Sequence, residues 1–440
     1  MSTSAESSGE PCEPDAAAVA EERRPVPLSS GSETGDPARM AFVARQPIFD
    51  RALAVRGYEL LYRSAFTTAA RFENAAAATA EVIVSAVIDV GMRCLTGVRP
   101  AFINFPREML VSPLPLPLEP RRVVIEVLEN VQPDAQLLRA LDVLRRRGHQ
   151  IALDDFELRE GSEALLERAD IVKLDVRTHS GERLAELVRM LRRRRLELIA
   201  EKVETPEELE SCQALGFDGY QGYFLQRPET FSARRAPSSR VATLRLLLQL
   251  HDPTVSAADM EAAIACDGGL CYRILSCVNS SYYRWPRAIE SIRQAIVVLG
   301  FDELRAICAA ILLTRFEDRP PYLAAQALVR ARMCEALCIS GGLEERERYF
   351  MAGMLSLMDA LLWLPLADAL RTLPLSGSML GALLRKEGAL GEALVCVQHF
   401  EKGEWAEIRF QTLPPSAVCE AYRDAVCWAD DLWRALPGSA

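Results

Sequence analysis

The chain has 440 residues, half of them hydrophobic, which is ample for two ordinary domains. Its net charge of -10 argues against wholesale nucleic-acid binding through counterion release. The start lacks a positive region followed by an apolar one, and no run of about eighteen uninterrupted apolar residues occurs, so neither a secretory leader nor a membrane-spanning helix is expected.

Residues 1–39 are rich in Ser, Glu, Pro, Gly and Ala and nearly devoid of large apolar side chains. Such a segment cannot offset its ordering entropy by burial, so a disordered tail is expected. From Ala41 to about Pro228, strand and helix patterns alternate. Strands are expected at Phe42 to Arg45, Val55 to Tyr62, Pro100 to Phe105, Arg122 to Leu128, Gln150 to Phe156, Ile171 to Val176, Leu196 to Val203 and Gly219 to Leu225. Several are near-continuous apolar runs, as in strands covered on both faces. Helical patterns fall between them, such as Ala75 to Val90 and Ala135 to Arg147. Alternation predicts a parallel sheet, and eight strands predict a closed TIM-like β/α barrel. At roughly 190 residues it is small for that fold, so some helices should be short or missing. The basic runs Arg145 to Arg147 and Arg192 to Arg195 read as solvated faces or last turns of helices.

After Pro228 strand patterns end. Arg234 to Arg240 suits a linker, and helices follow one another. Leu270, Ile274 and Val278 mark one apolar stripe; Ile289, Ile292, Ile296 and Leu299 mark another, closed by Gly300. The expected organisation is therefore a tail over 1–39, a barrel over 40–232 and an all-α domain over 233–436. The twelve cysteines are scattered. Cys94, Cys308 and Cys396 lie in apolar helical stretches, as reduced thiols do, and no histidine stands near Cys266, Cys271 and Cys277 to complete a zinc shell. A reducing compartment, the cytoplasm, is expected.

Glu59, Asn104, Glu126, Asp154 with Asp155, Glu201 and Gln221 each lie near the end of a short apolar run, and Lys173 with Asp175 close another. Strands that deliver oxygen donors from one end build a metal-ready barrel mouth, and hard divalent cations take such oxygens. Glu59, Asn104, Glu126 and Asp154 are expected to hold one cation and Asp155 to reach a second. Two ions about 4 Å apart can activate a water and clamp a phosphodiester. Lys173 is expected to neutralise developing charge, Glu201 to act as general base, Gln221 to orient a ligand or the water, and Arg63 to fork onto a phosphate. Adjacent Asp154 and Asp155 repel each other unless a cation or proton intervenes.

These residues resemble the EAL domain, a barrel that hydrolyses cyclic di-GMP to its linear dinucleotide. Gln46-Pro47-Ile48 and Gly57-Tyr58-Glu59-Leu60-Leu61-Tyr62-Arg63 resemble the family signature, with Leu60 for its usual Ala. Ile103-Asn104, Ile125-Glu126-Val127-Leu128-Glu129, Leu153-Asp154-Asp155-Phe156, Lys173-Leu174-Asp175, Ala200-Glu201-Lys202-Val203-Glu204 and Gly219-Tyr220-Gln221-Gly222-Tyr223 resemble its later motifs. Leu128 stands for a Thr and Lys202 for a Gly. The resemblance implies metal ligation by Glu59, Asn104, Glu126, Asp154 and Asp155 and catalysis by Glu201 and Lys173. It implies substrate contacts from Arg63, Gln221 and Asp175, loop support from Glu129 and Glu204, and two Mg²⁺ or Mn²⁺ ions. After Phe156 the family has a Gly-rich loop that shapes the second metal site and dimer contacts; this chain has Glu157-Leu158-Arg159-Glu160-Gly161-Ser162, and the interval to Lys173 is about two residues short.

The second half resembles the HDOD domain, on Leu270-Cys271-Tyr272-Arg273-Ile274-Leu275-Ser276-Cys277-Val278-Asn279-Ser280 and Ser291-Ile292-Arg293-Gln294-Ala295-Ile296-Val297-Val298-Leu299-Gly300. Gly353-Met354-Leu355 is followed by Ser356-Leu357 rather than by a His-Asp pair, and the His-Asp dipeptide the chain does carry, His251-Asp252, lies well before it, so the metal site of HD enzymes is not expected to assemble. A protein partner is expected for this half, with Tyr282, Tyr283 and Trp285 as contacts or core. The order of the two domains resembles the EAL–HDOD, or YuxH-like, signalling proteins. Two functions follow. The complete ligand set points to a metal-dependent cyclic di-GMP phosphodiesterase. The altered loop, with Leu60, Leu128 and Lys202, points to a catalytically degenerate receptor or interaction switch. Cyclic di-GMP is the expected small-molecule partner, with homodimerisation implied by the family; no membrane or nucleic acid is expected.

Overall fold

A computed structural model of the chain describes residues 41–64, 92–111, 119–159, 161–179, 181–223, 238–283, 285, 287–316, 320–362, 364–371 and 373–436. The tail over 1–39, the helix expected at Ala75 to Val90 and Glu160 lie outside these residues.

The first half is a closed eight-stranded barrel with its strands in sequence order. The strands are β1 (Ala41–Asp50), β2 (Val55–Ser64), β3 (Ala101–Phe105), β4 (Val123–Val127), β5 (Gln150–Leu153), β6 (Ile171–Asp175), β7 (Glu197–Glu201) and β8 (Gly219–Gln221). From β2 to β8 neighbouring strands run parallel. β1 departs from the all-parallel expectation. It pairs antiparallel with both β2 and β8, because only four residues separate it from β2 and a parallel return needs a crossover of a dozen or more. Short helices cover the outside, including Ala135–Arg146, Gly181–Arg192 and Pro206–Leu215. Asp134 caps the first of these by accepting from the backbone N–H groups of Gln136 and Leu137, and Thr205 and Glu208 form a capping box on the last.

The barrel interior has a floor. Ile48, Phe102, Val124, Ala152, Ile171 and Ile199 form one buried apolar cluster contributed by six strands. Two more strands place glycine at this level. A Cβ on Gly57 would lie 2.8 Å from the Phe102 ring, and one on Gly219 would lie 2.9 Å from the Phe49 carbonyl oxygen. Successive side chains of a strand alternate between faces, so the residue two positions away from each floor residue also faces inward, one layer toward the rim.

The second half is helical, from Ser238–Leu250 to Pro415–Ala435, around one large apolar core. Both expected stripes are in it: Leu270, Ile274, Val278, Ile289, Ile292 and Ile296 are buried, and Leu299 packs against them. The helix Ser238–Leu250 takes up the last three residues of the expected linker. Tyr283 and Trp285 stack on each other and pack on this core, while Tyr282 is 45% exposed.

This half packs on the outer side of β1. The buried Arg45 guanidinium pairs with Asp430 at 3.1 Å and donates to the Leu95 carbonyl at 2.6 Å. Phe49 meets the edge of Tyr322 at 5.3 Å between ring centroids. Among the described residues nine cysteines are free, and Cys427 is disulfide-bonded, a departure from the fully reduced set the sequence suggests. No described helix is long and apolar enough to cross a membrane.

Candidate active site

The layer above the floor is polar in every strand. Asn104 follows Phe102 by two residues, Glu126 follows Val124, Asp154 follows Ala152, Lys173 follows Ile171 and Glu201 follows Ile199. Glu59 and Gln221 follow Gly57 and Gly219 by the same step. On antiparallel β1 the step reverses, and Gln46 precedes Ile48. Eight strands thus put eight polar side chains on one ring at the carboxyl end of the parallel strands. Period-2 alternation together with barrel closure produces this ring.

Lys173 stands at its centre with a fully buried side chain. Its Nζ is 3.0 Å from Glu59 Oε2, 2.8 Å from Glu126 Oε1, 2.9 Å from Asp154 Oδ1 and 2.8 Å from Glu201 Oε1. An ammonium has three N–H donors, so four carboxylates exceed its capacity by one. Glu59 is further held by Asn104 Nδ2, which donates to Oε1 at 2.9 Å, and by Gln221 Nε2, which donates to Oε2 at 2.6 Å. Gln221 Nε2 also donates to Gln46 Oε1 at 3.0 Å.

The charge balance is lopsided: four carboxylates face one ammonium. Burial raises the Glu126 carboxyl well above the usual range, with Lys173 opposing and Glu59 and Asp154 adding to the rise. Burial likewise pushes Glu201 up to about 8, against the pull of Lys173. Burial works against the charge on Lys173, but Glu126, Glu201, Glu59 and Asp154 override it and raise its pKa. Glu126 Oε2, Glu201 Oε2 and Gln221 Oε1 are buried and accept no hydrogen bond among the described residues. Unpaired acceptors in an over-acidic, buried ring suit a hard cation, and every acceptor atom of the carboxylates and amides here is oxygen. Among the described residues no three acidic, histidine or cysteine side chains form a ready-made metal cage; the Lys173 ammonium takes up the space the four carboxylates share.

Asp155 and Asp175 do not join this ring. Lys202 Nζ bonds both Asp155 oxygens at 3.0 and 3.1 Å and Asp175 Oδ2 at 2.7 Å. Partial burial opposes the charge on Lys202, yet the bonds from Asp175 and Asp155 raise its pKa. Asp175 Oδ1 also accepts from the Arg177 backbone N–H at 2.8 Å, so this carboxylate is held from two sides rather than left open to a substrate. Arg177 also donates to Glu204 Oε1 at 2.6 Å, which ties the loop after β6 to the loop after β7. The Glu129 side chain is exposed, and the residue's carbonyl accepts from Arg159. Arg63 lies in β2, with its side chain outside the described residues. In the altered loop Glu157 pairs with Arg159 at 2.7 Å, and Gly161, at φ +85°, makes the turn that leads into the helix Ser162–Leu166. That glycine supplies the left-handed residue which Leu158 and Arg159 could not.

Sequence reasoning missed two residues. Gln46 stands in a sequence motif that assigns it no role; the reversal of β1, which an apolar run does not reveal, brings it to the ring. Lys202 reads in the sequence only as a substitution for Gly; its position directly after Glu201 is the signal that could have found it. In the helical half, His251 is buried and stacked on Phe350 at 5.3 Å between centroids, and His399 pairs with Glu404. Neither forms part of a metal cage among the described residues.

Comparison with known proteins agrees with both halves. A model of the EAL domain matches residues 42–228, and a model of the HDOD domain matches residues 236–372. The cyclic di-GMP phosphodiesterase CdgJ of Vibrio cholerae serotype O1 is 32% identical over 404 residues, covering 90% of this chain and 94% of CdgJ. YuxH of Bacillus subtilis strain 168 is 31% identical over 409 residues, covering 90% of this chain and 99% of YuxH. Among solved structures, the calcium and cyclic di-GMP complex of Klebsiella pneumoniae BlrP1 is 25% identical, covers 45% of this chain and 58% of BlrP1, and superposes with a TM-score of 0.37.

Proposed function

We propose that the chain, which carries an EAL domain followed by an HDOD domain and belongs to one family with CdgJ and YuxH, is a metal-dependent cyclic di-GMP phosphodiesterase. The observation that carries this reading is the ring of eight inward polar side chains, Lys173 among them, with more buried carboxylates than cations. Glu59, Asn104, Glu126 and Asp154 would hold a divalent cation such as Mg²⁺ or Mn²⁺. When bound, it supplies Lewis acidity and positive charge for an attack of water on phosphorus.

The chain's own residues do the rest. Glu201, with one oxygen on Lys173 and the other unpaired, accepts the proton of the attacking water. The Lys173 ammonium lies at the carboxylates' meeting point and offsets negative charge as it develops on the phosphoryl oxygens. Gln221, fixed between Glu59 and Gln46, presents its unbonded Oε1 to orient water or substrate. Arg63, four residues beyond Glu59, is assigned to a phosphate, and the helical half to a protein partner. The Lys202 cross-link and the non-glycine loop after Phe156 favour the alternative of a nucleotide receptor without turnover. Incubation with cyclic di-GMP and Mn²⁺, read by chromatography, separates the two. The linear dinucleotide should form, and Glu59→Ala and Glu201→Ala should each abolish it. No product, with metal-dependent nucleotide binding by calorimetry, leaves the receptor reading in its place.

A further inference from the structure

Two clusters adjoin at the rim, and three neighbouring pairs of residues link them. Asp154 belongs to the Lys173 cluster and Asp155, next in the chain, to Lys202. Lys173 and Asp175 are two apart on β6, on one face and one layer apart. Glu201 reaches Lys173 while Lys202, next in the chain, reaches Asp155 and Asp175. The second cluster therefore has two carboxylates converging beside the first, and a cation already between them. That cation is an ammonium on the chain itself.

The backbone bears a cost for this arrangement. Lys202 has φ +58° and Asp155 φ +41°, in the left-handed region that favours glycine. Strained non-glycine residues persist where the surrounding structure holds them, and here three carboxylate oxygens hold the Lys202 amine within 3.1 Å.

We propose that the Lys202 ammonium permanently takes the place of a second divalent cation between Asp155 and Asp175, so that the site binds one metal ion per chain. This rests on the metal-dependent reading above. A lysine amine supplies one positive charge and three hydrogen-bond donors. It supplies no Lewis acidity and cannot be removed by a chelator. The clamp of two metal ions on attacking and leaving oxygens is then unavailable, and Lys202 serves as a fixed charge that positions Asp155 and Asp175 while the single ion works at the Lys173 ring.

The test counts ions rather than turnover. The full chain, stripped of metal, is titrated with Mn²⁺ by calorimetry and by electron paramagnetic resonance of free Mn²⁺. The wild type should take up one ion. Lys202→Gly should take up two and show the broadened spectrum of a coupled Mn²⁺ pair; glycine also relieves the positive φ, so folding is not at risk. Lys202→Asn, which tolerates the same φ, repeats the measurement with a neutral side chain. In the wild-type background Asp155→Asn should leave the count at one. Two ions in the wild type, or one in both Lys202 variants, overturn this inference alone. No ion in any form overturns it together with the metal-dependent function.

Discussion

Lys173→Met isolates the charge balance of the ring. The native ammonium is fully buried and lies within 3.0 Å of four carboxylates. Methionine keeps most of the bulk and removes the ammonium that the four carboxylates share. Breaking a buried ion pair by deleting one partner costs about 3–5 kcal/mol, because the remaining charges lose their compensation. For a domain of this size each kcal/mol lowers Tm by about 2–4 °C, so the variant in EDTA should melt about 6–20 °C below wild type. Added Mn²⁺ should raise the variant's Tm, since the cation then supplies the positive charge that the four carboxylates have lost. At a hundredfold excess over Kd a ligand contributes about 2.7 kcal/mol, or about 5–11 °C on the same scale. Scanning calorimetry in EDTA and in Mn²⁺ measures both shifts, and the linear dinucleotide should be absent in either buffer. A variant Tm that is the same in EDTA and in Mn²⁺ would refute the idea that these carboxylates form a cation site. A deficit below about 2 °C would show that the ion pairs contribute almost nothing net, against the range used here.

Two more predictions test the frame around the site. Burial, aided by the Arg305 charge and opposed by the Leu247 carbonyl, pulls His251 from 6.5 down to about 4. The unfolded chain then binds more protons between pH 4 and 6.5, so this contribution is complete above pH 6.5 and is lost as pH falls toward 4, about 3 kcal/mol in all. His251→Phe keeps a ring against Phe350 and should flatten urea-derived stability over that window; parallel wild-type and variant curves would contradict it. Gly222 has φ +147°, and a Cβ there would lie 2.0 Å from the Val203 carbonyl oxygen and 2.6 Å from its amide nitrogen. Because Val203 also donates its backbone N–H to the Gln221 carbonyl, Gly222→Ala must push β7 and β8 apart at the rim. It should cost on the order of 4 kcal/mol and abolish turnover, and a variant with wild-type Tm and activity would disprove the close approach.

Local order was written in the sequence. Near-continuous apolar runs such as Ile151-Ala152-Leu153 and Ile171-Val172 specify strands covered on both faces, and the polar residue two positions past each floor residue follows from the period of a strand. Seven members of the ring were legible that way, from Glu59 to Gln221. The helical stripes were equally local, because their spacing repeats within one or two turns. Three things needed the folded chain. β1 runs backward and brings Gln46 to the ring. Lys173 sits among four carboxylates instead of beside them. Lys202 turns out of the ring to hold Asp155 and Asp175. A strand's period fixes which face a side chain takes, but not what meets it across the barrel. Gln221 and Glu59 bond across 162 positions of sequence, and only closure of the sheet brings such residues within hydrogen-bond reach.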